Sequence, residues 1–301
     1  MSAPTAEVSR HSSEIGWWEM VSRPAAPRLR RYVLGYCGYE EETVGFTRRR
    51  ELPSGEVILI IGFGPRLRTT YPALSLDRDA TTRSFVAGVH DTHCIVETPG
   101  TQAGIQVNLT PIGAHLLLGV AMHELTNRVV ELDDLLGHPG ALFVERLHDA
   151  PDWDTRFELI DAALVRRLDR ARPASPDVAW AWRRIVERRG AMAVTELCDE
   201  LGCSRKHLAR GFNEQIGVAP KTYARVLRFQ RAVHMLGHRD GESWMDARER
   251  GAGREMGWGE IAVECGYFDH AHMNRDFRHF AGASPSELAA SLLPDGGGLE
   301  G

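Results

Sequence analysis

The chain is short of many things that 301 residues could carry. It has no run of eighteen or more apolar residues, so no segment reads as a membrane-spanning helix. Its opening stretch, MSAPTAEVSRHSSEIGWWEM, lacks the basic-then-apolar order of a signal peptide, and a cytoplasmic location is expected. The five cysteines (37, 94, 198, 203 and 265) are odd in number, scattered and never spaced CxxC. That argues against a disulfide framework or a paired-cysteine zinc site, and suits free thiols in a reducing compartment. GxSxG, HExxH and a glycine-rich phosphate loop are all missing; "IGFGP" (61–65) precedes no helical pattern and reads as a strand end and turn. No catalytic residue, cofactor or metal site is therefore expected, and the chain does not read as an enzyme.

An excess of positive charge is also missing, since the formal net charge is −5. The average hides an asymmetry. From Trp180 to His238 eleven Lys/Arg stand against five Asp/Glu, whereas from Arg239 to Leu293 six stand against ten. The first segment suits a phosphate backbone or, equally, a solvated helical face.

Two kinds of pattern are present. Between about 30 and 110, short apolar runs alternate with turn residues: Tyr32–Tyr36, Glu56–Phe63, Ser84–Val89, Thr92–Val96 and Gly104–Leu109. These predict a β-rich unit. From Pro111 to Arg170 the period becomes helical, with Phe157, Ile160, Leu164 and Leu168 on one stripe that fits the protein's own core or a partner. "ARPASPDVAW" (171–180) reads as a linker.

Beyond it the chain is helical and repeats itself. Glu196, Leu197, Glu200 and Gly202 fall on Glu260, Ile261, Glu264 and Gly266. After one extra residue, His207, Leu208, Arg210 and Phe212 fall on His272, Met273, Arg275 and Phe277, and Gly217 and Pro220 on Gly282 and Pro285. One supersecondary unit is used twice. Each copy has a short helix ending at glycine, a capping residue (Ser204, Asp269), and a second helix apolar on one side only. The other side carries Arg205, Lys206, Arg210 and Asn213, or His270, Asn274, Arg275 and Arg278, which suits a major groove. "PKTYARVLRFQRAVHMLGH" (220–238) has the period of one long connecting helix.

The segments "ELCDELGCSRKHLARGFNEQIGVAPKTYARVLRFQRA" and "WGEIAVECGYFDHAHMNRDFRHFAGASPSEL" resemble the DNA-binding domain of the AraC/XylS family of transcription regulators. The stretches "RRRELPSGEVILIIGFG" and "HELTNRVVELDDLLG" are similar, less specifically, to the β-rich domains of one subgroup. The resemblance implies an α+β chain of two domains. A cupin-like sensor or dimerisation domain with trailing helices spans 1–172, followed by a linker at 173–179 and an all-α tandem helix-turn-helix domain at 180–293. That domain divides into motif one (192–217), connecting helix (220–237), an inserted loop (238–257) and motif two (258–282), with a tail at 294–301.

Carried onto this sequence, the resemblance makes Lys206, Ala209 and Arg210 base-reading in motif one, and His270, Ala271, Asn274 and Arg275 in motif two. Arg205, Asn213, Lys221, Thr222, Arg278 and Ser286 are then phosphate contacts, which position without specifying. It also implies double-stranded DNA as a partner, with RNA polymerase, a small-molecule effector and a second copy of the chain as further partners. The competing reading is a cupin-type metalloenzyme or metal sensor fused to a DNA-binding domain, resting on His90, His93 and Cys94. Strand alternation sets His90 and His93 on opposite faces unless a turn intervenes. His270, His272 and His279 lie on faces that do not converge, with His272 expected to be structural like His207. Arg48–Arg50 is expected to be a solvated patch.

Overall fold

The computed structural model describes residues 6–14, 16–75, 78–237 and 257–291. The expected inserted loop (all but Gly257) and the 294–301 tail lie outside them.

Among the described residues the β-rich half has eleven strands in two sheets. One sheet has the order β1-β2-β3-β10-β5-β8-β11, formed by Glu7–Ser13, Gly16–Arg23, Val33–Thr43, Thr101–Leu109, Val57–Gly62, Phe85–Ala87 and Val129–Glu131. The second has the order β4-β9-β6-β7, formed by Thr47–Glu51, Cys94–Thr98, Leu67–Thr70 and Ala80–Thr82. Strand alternation gives the large sheet two different faces. Val57, Leu59 and Ile61 share one with Ile105, Val107 and Leu109, all buried beneath helices. The helical cover is α1 (Pro111–Leu118) and α4 (Trp153–Arg170), whose Phe157, Ile160 and Leu164 fill the same core. The α4 stripe therefore packs on its own domain. Around it lie α2 (Leu132–Leu136) and α3 (His138–His148).

The opposite face looks toward the small sheet. Ile60 and Phe85 meet Leu67 there. Nearer β3, however, the filling is polar: Arg49 of β4 pairs with Glu41 at 3.2 Å, and Gln102 donates to the same carboxylate at 2.7 Å.

The expected 173–179 linker is shorter than its composition suggests. Helix α5 (Pro176–Glu187) begins inside it, because a proline at the first helical position costs no hydrogen bond and presets φ. The remaining helices are α6 (Val194–Leu201), α7 (Arg205–Gln215), α8 (Pro220–Gly237), α9 (Trp258–Glu264), α10 (His270–Ala281) and α11 (Pro285–Ala290). They do not form one core. Leu197, Leu208, Phe212 and Tyr223 join the apolar cluster that runs on into the β-rich half. Val226, Phe229, Ile261, Met273, Phe277, Phe280 and Leu288 form a second cluster. Helix α8 thus gives its first turns to one core and its middle to the other.

Candidate nucleic-acid interface

In motif one, α6 stops at Gly202, whose backbone is left-handed (φ 62°, ψ 30°) and holds the chain in a tight turn. Ser204 then opens α7 by accepting the His207 N–H. Leu208 and Phe212 face the core, while Arg205, Lys206, Arg210 and Asn213 are exposed and Ala209 is half-buried. Motif two repeats the construction. Gly266 is left-handed (φ 77°), and Asp269 caps α10 by accepting the His272 N–H at 2.6 Å. Met273, Phe277 and Phe280 are buried; His270, Ala271, Arg275 and Arg278 are exposed. Asn274 is half-buried, and its amide oxygen is enclosed without a hydrogen-bond partner.

The base-reading candidates therefore lie on two helices, three on α7 and four on α10, both packed against α8. One charged pair fixes α10 on that support. Asp276 is 2% exposed and takes two hydrogen bonds from Arg225 of α8, at 2.8 and 3.1 Å, while the guanidinium lies over the Phe280 ring. The helical spacing places Asp276 on α10, but its partner is 51 residues away, beyond the reach of any local pattern.

Among the phosphate candidates, Lys221 is exposed and Thr222 half-buried in the first turn of α8. The α11 start is more closed than the sequence suggests. Ser284 and Glu287 cap each other reciprocally, so the Glu287 N–H is engaged and a carboxylate stands beside exposed Ser286. The Ser284 backbone N–H holds the Glu287 carboxyl below its ordinary range.

The histidines of motif two part company. His270 stacks on Trp258, His272 lies edge-on to Tyr267, and His279 lies edge-on to Phe280. His207 is exposed, so the expected structural role shared by His207 and His272 does not hold. The physical reason is a substitution in the turn: Tyr267 gives His272 a ring to pack on, where copy one has Cys203.

In the β-rich half, His90 Nε2 bonds the Tyr71 hydroxyl at 3.0 Å, and burial lowers its pKa to about 4. His93 faces Gly282 at the end of α10 instead. Among the described residues no group of three or more His, Cys, Asp or Glu could hold a metal ion.

The arginine run is not one solvated patch, because strand alternation turns Arg49 away from Arg48 and Arg50, and those two then meet different partners. Arg48 stays outside near Glu97, Arg49 enters the space between the sheets, and Arg50 donates to the Ala281 carbonyl at 3.3 Å. That last bond is one of several across the halves. Thr126 donates to the Gly217 carbonyl at 2.8 Å. Tyr223 of α8 donates to the Gly55 carbonyl, and the Gly55 N–H to Gln230. A side chain at Gly55 would meet Leu227 at 2.6 Å. The β-rich half thus touches the end of motif one, the connecting helix and the end of motif two. Sequence reasoning missed these residues, since no local pattern marks a contact between distant segments.

Comparison with known proteins bears on both halves. A family described as a domain of unknown function (DUF6597) matches residues 22–131, from the end of β2 to the end of β11. The HTH-type transcriptional activator RhaR of Escherichia coli strain K12 is 25% identical over 158 residues, covering 49% of this chain and 51% of RhaR. The chain thus spans about half the length of the curated relatives it matches. Among solved structures, ToxT from Vibrio cholerae aligns with 82% of this chain and 98% of its own, at 10% identity and a TM-score of 0.43. The xylose-binding transcription activator XylR aligns with 45% of this chain and 39% of its own, at 17% identity and a TM-score of 0.30. With its repeated motifs strung on one connecting helix behind a β-rich half, the chain resembles regulators of the AraC/XylS type.

Proposed function

We propose that the protein is a sequence-specific DNA-binding transcription regulator whose β-rich half senses a small molecule, dimerises, or does both. The observation that carries the reading is the matched pair α7 and α10. Each is buried along one side, held by a capped glycine turn, and set with Arg, Lys, Asn or His on the exposed side. Helices of that kind fit successive major grooves about 34 Å apart on one face of a duplex. Lys206, Ala209 and Arg210 then read one short word, and His270, Ala271, Asn274 and Arg275 a second. Arg205, Asn213, Lys221, Thr222 and Arg278 set the register on phosphates. Ser286 contributes less, because the Glu287 carboxylate repels a phosphate beside it.

The polar set Glu41, Arg49 and Gln102 between the sheets supports a ligand-responsive barrel, and the bonds from Arg50, Gly55 and Thr126 to the helical half give it a route to both motifs. RNA polymerase and a second copy of the chain complete the proposed partners, and the cytoplasm is the proposed compartment. The metalloenzyme reading has no geometric support, because His90 and His93 point to different neighbours.

The test is selection of duplexes from a random pool by the full-length protein. Two short preferred words about one helical turn apart are expected. Uniform, sequence-independent retention would overturn the reading.

A further inference from the structure

The turn of motif two has one more residue than that of motif one: Gly266-Tyr267-Phe268-Asp269 against Gly202-Cys203-Ser204. Its two aromatic residues take opposite sides. Tyr267 turns inward, 4% exposed, beneath the Arg228 guanidinium and edge-on to His272. Phe268 turns outward and is 89% exposed, more than any other large apolar side chain among the described residues. A phenyl ring left in water forgoes one of the largest packing gains a side chain can make.

Its position narrows what could cover it. Phe268 immediately precedes the Asp269 cap of α10 and stands two residues ahead of His270. Two residues of chain span at most about 7 Å, so the ring belongs to the surface that His270 and Ala271 present. In a helix-turn-helix the N-terminal end of the second helix approaches the base edges. Here that end is apolar and aromatic: the His270 ring is stacked on Trp258, Ala271 offers a methyl group, and the first cation of α10 is Arg275. From Trp258 to Leu288 two arginines stand against five acids. A reading head so poor in cations depends on shape and apolar contact. The apolar group on a base edge in the major groove is the thymine 5-methyl.

We infer that Phe268 is a base-reading residue, its ring packing on the 5-methyl group of a thymine beside the bases met by His270 and Ala271. The inference rests on the proposed DNA reading and adds to it a residue, a base and an atom.

The experiment uses full-length protein and a duplex selected from a random pool. Each thymine of the word assigned to motif two is replaced in turn by uracil, which removes only the methyl group. At one position wild-type affinity should fall about fourfold, the worth of one buried methyl-sized group. Phe268→Ala should bind the thymine duplex about fourfold more weakly and be indifferent to uracil there, while keeping the preference set by Arg275. Phe268→Leu should keep part of the uracil effect, and as an exposed change it leaves the core intact. The assignment is overturned if no thymine is selected in that word, or if Phe268→Ala retains the wild-type uracil profile. Unchanged DNA binding with lost transcriptional output would mark the ring as a protein-docking contact instead. A pool with no preferred sequence would remove the DNA reading itself, and the Phe268 assignment with it.

Discussion

Arg50, from a strand of the β-rich half, reaches 231 residues along the chain to hold the carbonyl of Ala281, where α10 ends. Beside it, the His93 ring occupies the space a Cβ at Gly282 would need, 2.7 Å from the ideal position, and Gly282 is itself left-handed (φ 70°). The two contacts meet at the last turn of the second reading helix, so the barrel and motif two share a boundary there.

Arg50→Ala should loosen that boundary without unfolding either half, since it removes one hydrogen bond worth about 1 kcal/mol net. Hydrogen exchange should rise in peptides spanning 278–288 and stay unchanged in those spanning 205–215. Equal protection at both places would mean that Arg50 does not brace motif two.

Stability should fall in mild acid. Burial holds the His90 pKa near 4, below its ordinary 6.5. Between those values the unfolded chain takes a proton that the folded chain refuses. His90 thus contributes nothing to pH dependence above about pH 6.5, and stability is lost as pH drops from there toward 4. The slope it adds is at most ~1.4 kcal/mol per pH unit. The His93 pKa is lowered in the same sense, by burial first and then by Arg50. Urea midpoints of the wild type at pH 7, 6 and 5 should fall more steeply than those of His90→Gln, which keeps a partner for Tyr71. Parallel curves would show that His90 titrates as it does in water.

Much of the helical half was legible because a helix-turn-helix is written locally. Ser204, Asp269 and the two turn glycines announce themselves within four residues of what they cap. Strands β1 and β2 were not legible. EVSRHSS is polar and lies mostly exposed, and it is held by backbone pairing with its neighbour from Glu7↔Ser22 to Ser13↔Gly16, which leaves no apolar alternation to read. The Arg48–Arg50 run misleads for a related reason. Composition shows three like charges, whereas the strand geometry that separates them depends on β9 and α10. His272 takes its place from Tyr267, which stands where the first copy has the small Cys203.

The two reading heads should fail differently when their cations are removed. Arg210→Ala and Arg275→Ala should each relax preference at a different base position, about one helical turn apart, at a cost of about 1–3 kcal/mol for the preferred site. Salt dependence should separate them further. Motif one belongs to the basic stretch, where eleven Lys/Arg oppose five Asp/Glu. The Lys206→Ala, Arg210→Ala double variant should therefore flatten the slope of log affinity against log salt, by about 0.9 for each phosphate no longer neutralised. If that slope stayed unchanged while Arg275→Ala flattened it, the ranking of the two motifs would be reversed.

The division of the core predicts which damage spreads. Phe212 and Phe277 hold equivalent places in the two copies and are both fully buried. Phe212, however, belongs to the cluster that continues into Leu59, Ile105 and Phe157 of the β-rich half, whereas Phe277 packs with Phe229 and Phe280 in the separate cluster. Truncating either to alanine should cost about 3–5 kcal/mol. Phe212→Ala should lower the melting of the whole molecule, with hydrogen-exchange protection of 57–62 and 104–109 and of 205–215 lost together. Phe277→Ala should instead uncouple motif two, raising hydrogen exchange across 258–290 while protection of 57–62 and 104–109 persists. Loss of protection in those two strands on Phe277→Ala would show that the two clusters unfold as one, and that the state of the barrel reaches both reading heads through packing as well as through the few hydrogen bonds at their boundary.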